Sequence, residues 1–203
     1  MIKEQNMQKF LNQEFAVLNR VKHRNIVEFH GYERTKNAYY FIFELCEGGD
    51  FQTYLRQRGA LPELDAQRFF KQIADAMITL NREDVIHRDL KPANILMTKE
   101  NKIKLADFGL ARKIDTNSED PLMKTHVGTP YYKAPEIYHQ LGYTDNVDLW
   151  SLGIMLFQMV AGELPFTATS QEEFFQKIRG GDFALPQGIT LSQACRDLIS
   201  RLI

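Results

Sequence analysis

Cysteine is scarce. Only Cys46 and Cys195 occur in 203 residues, too far apart in sequence to match a metal-binding or redox spacing. A framework of several disulfides is excluded. Two isolated thiols in a reducing compartment are the expectation, with a single bridge between them as the alternative. An excess of charge of one sign is also missing: 25 Lys and Arg face 26 Asp and Glu, a formal balance of −1. The chain therefore has no general attraction for nucleic acid or an anionic membrane, and charged recognition has to be local. No basic tract interleaved with aromatics suggests a nucleic-acid partner. No apolar run approaches the ~18 residues a membrane span needs, and no charged-then-apolar leader opens the chain. The expected location is the cytoplasm, with the nucleus as the alternative. Internal repeats and low-complexity segments are absent too. What remains is a chain 44% hydrophobic, long enough to bury a sizeable core in one or two domains.

The densest chemistry lies in residues 87–109. His87-Arg88-Asp89-Leu90-Lys91-Pro92-Ala93-Asn94 leads into Ile95-Leu96-Met97, and after a polar connection Ile103-Lys104-Leu105 leads into Ala106-Asp107-Phe108-Gly109. Residues 95–97 and 103–105 alternate in polarity and predict a hairpin of two short strands. A hairpin brings its ends together, so Asp89 and Asn94 are expected beside Asp107. Hard cations such as Mg²⁺ take oxygen ligands and share one or two carboxylates with substrate phosphates. Asn94 and Asp107 suit that role. Asp89 is then left to accept a proton from an incoming hydroxyl, and Lys91 can neutralise charge on a transferring phosphoryl group.

These residues resemble the eukaryotic protein kinases, whose catalytic loop reads H-R-D-x-x-x-x-N and whose metal-binding turn reads D-F-G. Both motifs are complete here. The resemblance covers essentially the whole chain, and its consequences can be followed along it.

Residues 4–22 carry apolar groups at helical spacing, including Phe15, Leu18 and Val21, and predict an amphipathic helix. The resemblance makes Glu14 on that helix the acid that pairs with a strand lysine. Two β-rich runs, 26–29 and 39–43, read as paired strands. They lead into Glu44-Leu45-Cys46-Glu47-Gly48-Gly49-Asp50, which matches the hinge between kinase lobes. There the Glu44 carbonyl and the Cys46 amide are the implied adenine contacts. Asp50 is the implied ribose contact, Phe43 the residue at the back of the pocket and Leu96 its floor. Helices are expected over 50–58 and 62–81.

Residues 125–136 close the activation segment of the family in its serine/threonine-directed form. Thr129 is implied to hydrogen-bond into the catalytic loop. Thr125 is a candidate phosphosite with Arg88 as its charge partner. An apolar helix through 147–160 belongs in the middle of a core, with Asp148 near its start implied to hold the catalytic loop. Two amphipathic helices are expected at 170–178 and 191–202.

The expected fold is α+β and protein kinase-like, bilobal, with a truncated small lobe and a mostly helical large lobe. Residues 1–45 are expected to form the small-lobe remnant, without glycine-rich loop or lysine strand, and 46–203 a large lobe missing its last helix. The implied function is protein serine/threonine kinase, using ATP and Mg²⁺ on protein substrates with Ser or Thr acceptors. An upstream activating kinase is a candidate partner, and little activity is expected of the fragment alone. A non-catalytic kinase-like binding or regulatory module is the alternative. Residues 46–51 and 69–73 and the 168–170 linker resemble the autophagy-initiating kinases, with NIMA-related and calcium/calmodulin-dependent kinases as other candidates.

Overall fold

A computed structural model describes residues 15, 18–35, 38–107, 112–113, 130–138, 146–181 and 183–203. The element order is β1 (Phe29–Arg34), β2 (Tyr39–Phe43), α1 (Phe51–Arg58), α2 (Glu63–Arg82), β3 (Val85–Ile86), a 3-10 turn (Pro92–Asn94), β4 (Ile95–Met97), β5 (Ile103–Leu105), β6 (Arg112–Lys113), a second 3-10 turn (Pro130–Tyr132), α3 (Pro135–Tyr138), α4 (Asn146–Ala161), α5 (Gln171–Gly180) and α6 (Gln193–Leu202). Helices and three two-stranded sheets make this an α+β architecture.

The core is organised around α4. Its run from Ser151 to Phe157 is buried on every side, as a helix apolar all round requires. The long helix α2 packs against it with Ile73, Ala76 and Leu80 fully buried. On another side α6 comes so close that a Cβ on Gly153 would stand 2.7 Å from Leu202 Cβ. Glycine at that position lets the two backbones approach. Among the described residues no helix is long and apolar enough to cross a membrane.

The β4–β5 hairpin forms in the expected register, Ile95 opposite Leu105, Leu96 opposite Lys104 and Met97 opposite Ile103. Ile95, Met97, Ile103 and Leu105 point into the core while Leu96 and Lys104 stand on the other face. This is the period-2 alternation of a half-buried strand. Side-chain amides fasten it from behind. Gln72 on α2 accepts from the Ile103 amide at 2.9 Å, and Asn25 donates to the Ile103 carbonyl at 2.9 Å and to Gln72 at 3.2 Å.

The first strand differs from expectation. Residues 26–28 do not pair with β2; the ribbon's first strand starts at Phe29 and runs to Arg34, and the Thr35 amide donates to the Ala38 carbonyl at 2.9 Å. Ile26 instead bridges to Leu105, the Val27 amide donates to the Leu105 carbonyl at 2.8 Å, and the Leu105 amide donates to the Asn25 carbonyl at 2.8 Å. Backbone groups engaged by β5 cannot also build the ribbon, so the hairpin begins further along. One face of the ribbon carries an aromatic cluster of Phe15, Phe29 and Phe41, with the Phe15 and Tyr32 rings stacked at 4.1 Å. Phe15 and residues 18–20 are helical, so the helix expected over 4–22 ends at Arg20 among the described residues.

Helix starts follow their caps. Asp50, Ser170 and Ser192 each accept an amide from the first turn of α1, α5 and α6, which places them one residue outside the helices expected to include them or their neighbours. The two-residue pairing of β3 with β6 and the 3-10 turns are too short to leave a periodic signal.

Candidate active site

Asp89, Lys91 and Asn94 converge as the hairpin requires. Lys91 Nζ lies 2.6 Å from Asp89 Oδ2. The Asn94 side-chain amide donates to the same oxygen at 2.9 Å and to the Asp89 backbone carbonyl at 2.8 Å. Across the mouth of the hairpin the Ala106 amide donates to the Asn94 carbonyl at 2.9 Å, which brings Asp107 alongside as the next residue. Asp107 is exposed and holds a left-handed backbone, φ 61°. That conformation is costly for a residue with a Cβ and is found where surrounding structure imposes it.

The loop before Asp89 is fixed from below. Asp148, buried in the first turn of α4, accepts the His87 amide at 2.8 Å and the Arg88 amide at 2.9 Å. Burial pushes the Asp148 carboxyl up, opposed by His87 and the two backbone amides. Its bonds hold Arg88 in a left-handed conformation, φ 68°, so the chain reverses before Asp89. His87 is fully buried, and its Nε2 donates to the Ala106 carbonyl at 3.1 Å, joining the loop to the residue before Asp107. Asp148, expected to hold this loop, does so through both oxygens.

The hinge residues border the same hairpin. Asp50 bridges to Leu96, and the Gly48 amide donates to the Met97 carbonyl at 2.8 Å. A Cβ on Gly48 would lie 2.4 Å from the Thr98 carbonyl oxygen, so only glycine allows this approach. Among the described residues the Glu44 carbonyl and the Cys46 amide take part in no backbone hydrogen bond that joins the hinge to its neighbours. Leu96 is half-buried beside them. Asp50 also caps α1: its carboxylate accepts the Thr53 amide at 2.7 Å and the Thr53 hydroxyl at 2.9 Å. The Thr53 amide holds this carboxyl below the ordinary range. Burial pushes the Cys46 thiol up, with Glu44 adding to the effect, which disfavours the thiolate. Glu14, Thr125 and Thr129 lie outside the described residues.

Two lysines were not singled out by sequence. Lys104 pairs with Glu44 at 2.6 Å; its signal was the polar position in an otherwise apolar strand. Lys133 follows the second 3-10 turn within electrostatic reach of Asp89 and Lys91. Burial holds its ammonium below the usual lysine range, and Asp89 opposes the shift. Its neighbours are well anchored. The Tyr132 hydroxyl donates to Gln158 at 2.8 Å, Ser151 donates to the Tyr132 carbonyl at 2.8 Å, and Ala134 is fully buried against Ile86 and Val147.

The donor set at the mouth is a carboxylate and an amide oxygen, ligand types suited to a hard cation that borrows its remaining ligands from phosphate and water. The Asn94 Nδ2 is committed to Asp89, so its Oδ1 is the atom of that amide left for a cation. Among the described residues no cluster of three or more His, Cys, Asp and Glu could hold a metal. A protein-only metal cage is therefore not a feature of the described region.

Comparison with known proteins agrees with this geometry. The family described as "Protein kinase domain" matches residues 1–203. The chain is 37% identical over 177 residues to CBL-interacting protein kinase 15 of Oryza sativa subsp. japonica, covering 87% of this chain and 41% of that protein. It is 37% identical over 207 residues to the serine/threonine-protein kinase atg1 of Dictyostelium discoideum, covering 99% of this chain and 30% of that one. Against serine/threonine-protein kinase ATG1c of Arabidopsis thaliana the identity is 38% over 202 residues, with 97% and 27% covered. The chain thus spans about two fifths or less of the length of these curated relatives. With the catalytic loop leading into the hairpin and Asp107 following its second strand, the chain belongs to the protein kinase domain family.

Proposed function

We propose that this chain transfers the γ-phosphoryl group of ATP to serine and threonine hydroxyls of protein substrates. The observation that carries the reading is the shared Asp89 carboxylate, which receives both Lys91 Nζ and Asn94 Nδ2 while Asp107 stands across the hairpin mouth. In this reading Asp89 orients the acceptor hydroxyl and takes its proton. Lys91, already within ion-pair distance, counters charge on the transferring group. Asn94 and Asp107 are the residues that would hold Mg²⁺, which when bound supplies positive charge at the phosphate oxygens. The Glu44 carbonyl and Cys46 amide present the edge that adenine meets, and Leu96 lies under the base. Asp50 reaches the ribose through whatever part of its carboxylate the α1 cap leaves available.

Positioning and charge stabilisation are nearly the whole of catalysis in this chemistry. Asp89→Asn is therefore expected to abolish whatever phosphate incorporation into a generic basic protein the chain supports, while leaving Mg-ATP affinity within about twofold. Asp107→Asn should remove most of the Mg²⁺-dependent gain in ATP affinity seen by calorimetry. ATP binding that is the same with and without Mg²⁺ in the unsubstituted chain would overturn the assignment. Thr125 is the proposed regulatory phosphosite with Arg88 as partner. Unchanged activity in Thr125→Ala would remove that role.

A further inference from the structure

The segment carrying the Glu44 carbonyl and the Cys46 amide is an arch fastened at both ends to the β4–β5 hairpin. Downstream, the Gly48 amide donates to Met97 at 2.8 Å and the Met97 amide donates to Gly49 at 2.9 Å. Upstream the fastening is a side-chain junction. Glu44 Oε1 lies 2.6 Å from Lys104 Nζ on β5 and accepts the Glu28 amide at 2.7 Å, while the Glu44 amide donates to the Glu28 carbonyl at 2.9 Å. One carboxylate therefore joins the end of the ribbon, the start of the arch and the strand that runs into Asp107. Between the fastenings Leu45 is 83% exposed, while Cys46 packs partly against the core. The Lys104 and Glu44 side chains are 15% and 22% exposed. A pair so shielded is screened less than a surface ion pair and holds its geometry better. A second pair, Lys99 with Glu47 at 2.8 Å, is far more exposed and adds less.

We infer that Lys104 is a positioning residue for the nucleotide base: its pair with Glu44 sets the direction of the backbone edge on which an adenine is recognised. The inference rests on the nucleotide site proposed above and adds a side chain that touches no part of the nucleotide. Its chemical consequence is specificity. Adenine offers an amino donor to the Glu44 carbonyl, whereas hypoxanthine places a carbonyl oxygen there and meets repulsion. Discrimination between the two depends on where the Glu44 carbonyl points.

Adenosine and inosine binding to this chain, measured by calorimetry, tests the inference without phosphate or metal. Lys104→Met is expected to weaken adenosine binding about tenfold and to reduce the preference for adenosine over inosine to under about threefold. Lys104→Arg, which keeps the charge, should retain both within about twofold. A merely structural lysine would not move the adenosine-to-inosine ratio. If circular dichroism shows Lys104→Met unfolded, Glu44→Gln is read instead, with the same losses expected. Adenosine affinity and selectivity within twofold of the unsubstituted chain, in whichever of these variants is folded, overturn the inference alone. No adenosine binding by the unsubstituted chain overturns the nucleotide-site reading and this inference with it.

Discussion

The β4–β5 hairpin and the β1–β2 ribbon share one design, two short antiparallel strands joined by a stretch of polar sequence, and differ in everything that surrounds them. In the hairpin the inward side chains are all but completely buried, and backbone and side-chain bonds tie it to α2, to residues 25–27, to the hinge and to the loop before Asp89. The ribbon leaves Tyr32, Tyr40, Ile42 and Phe43 substantially exposed and relies on aromatic stacking on one face. Pairing alone does not make a strand pair rigid; the number of independent attachments does. Residues that must hold position to within a fraction of an ångström therefore sit at the mouth of the hairpin.

The largest effect is expected at the attachment under the mouth. Asp148→Ala leaves the buried His87 and Arg88 amides without their acceptor and should cost about 3–5 kcal/mol in urea denaturation, with Asp148→Asn costing less because one oxygen remains. A result under about 1 kcal/mol would mean that the loop is held by other contacts. The next pair sets one strand against the other. Ile103→Ala, fully buried in β5, should cost about 2–5 kcal/mol, whereas Ile42→Ala, 45% exposed in β2, should cost under about 1 kcal/mol. Equal losses would erase the contrast. Gly48→Ala, whose added Cβ meets backbone oxygen rather than a movable side chain, should cost about 1–3 kcal/mol and loosen the hinge from β4, visible as faster exchange of the Gly48 and Met97 amides.

The smallest effect lies at the start of α5. The Lys177 pairing and the Thr169 amide and hydroxyl hold the Glu173 carboxyl down to about 2, against 4.5 when unpaired. A carboxylate lowered in this way contributes stability that is complete above 4.5 and disappears as pH falls from there toward 2. Residues 169–173 should accordingly show earlier amide exchange in that window than the α4 amides do. Glu173→Gln should make the protection of this turn, taken relative to intrinsic amide exchange, insensitive to pH over the same range.

The hairpin was legible in the sequence because three-residue alternation and a polar turn leave few other structures, and the convergence of Asp89, Asn94 and Asp107 followed from its closure. The ribbon was less legible for a physical reason. Ile26 and Val27 look like strand residues and are buried like them, but their backbone groups answer β5 instead of β2, and side-chain pattern does not reveal which edge a backbone joins. The same blindness applies to Asp50, whose residue type fits either a ribose contact or a helix cap, and to Lys104, whose partner is sixty residues away in sequence. Sequence-local chemistry can be read directly. Pairings between distant elements need the fold.

The left-handed backbones at Arg88 and Asp107 carry a practical warning for anyone wishing to harden this protein. Each non-glycine residue in that region holds roughly 1–3 kcal/mol of conformational strain, so glycine at either place would ease the backbone while deleting the side chain it aims. Screens that reward melting temperature alone would drift toward such losses. Engineering for robustness belongs at the exposed ribbon positions Tyr32 and Tyr40, away from Phe43 and the hinge.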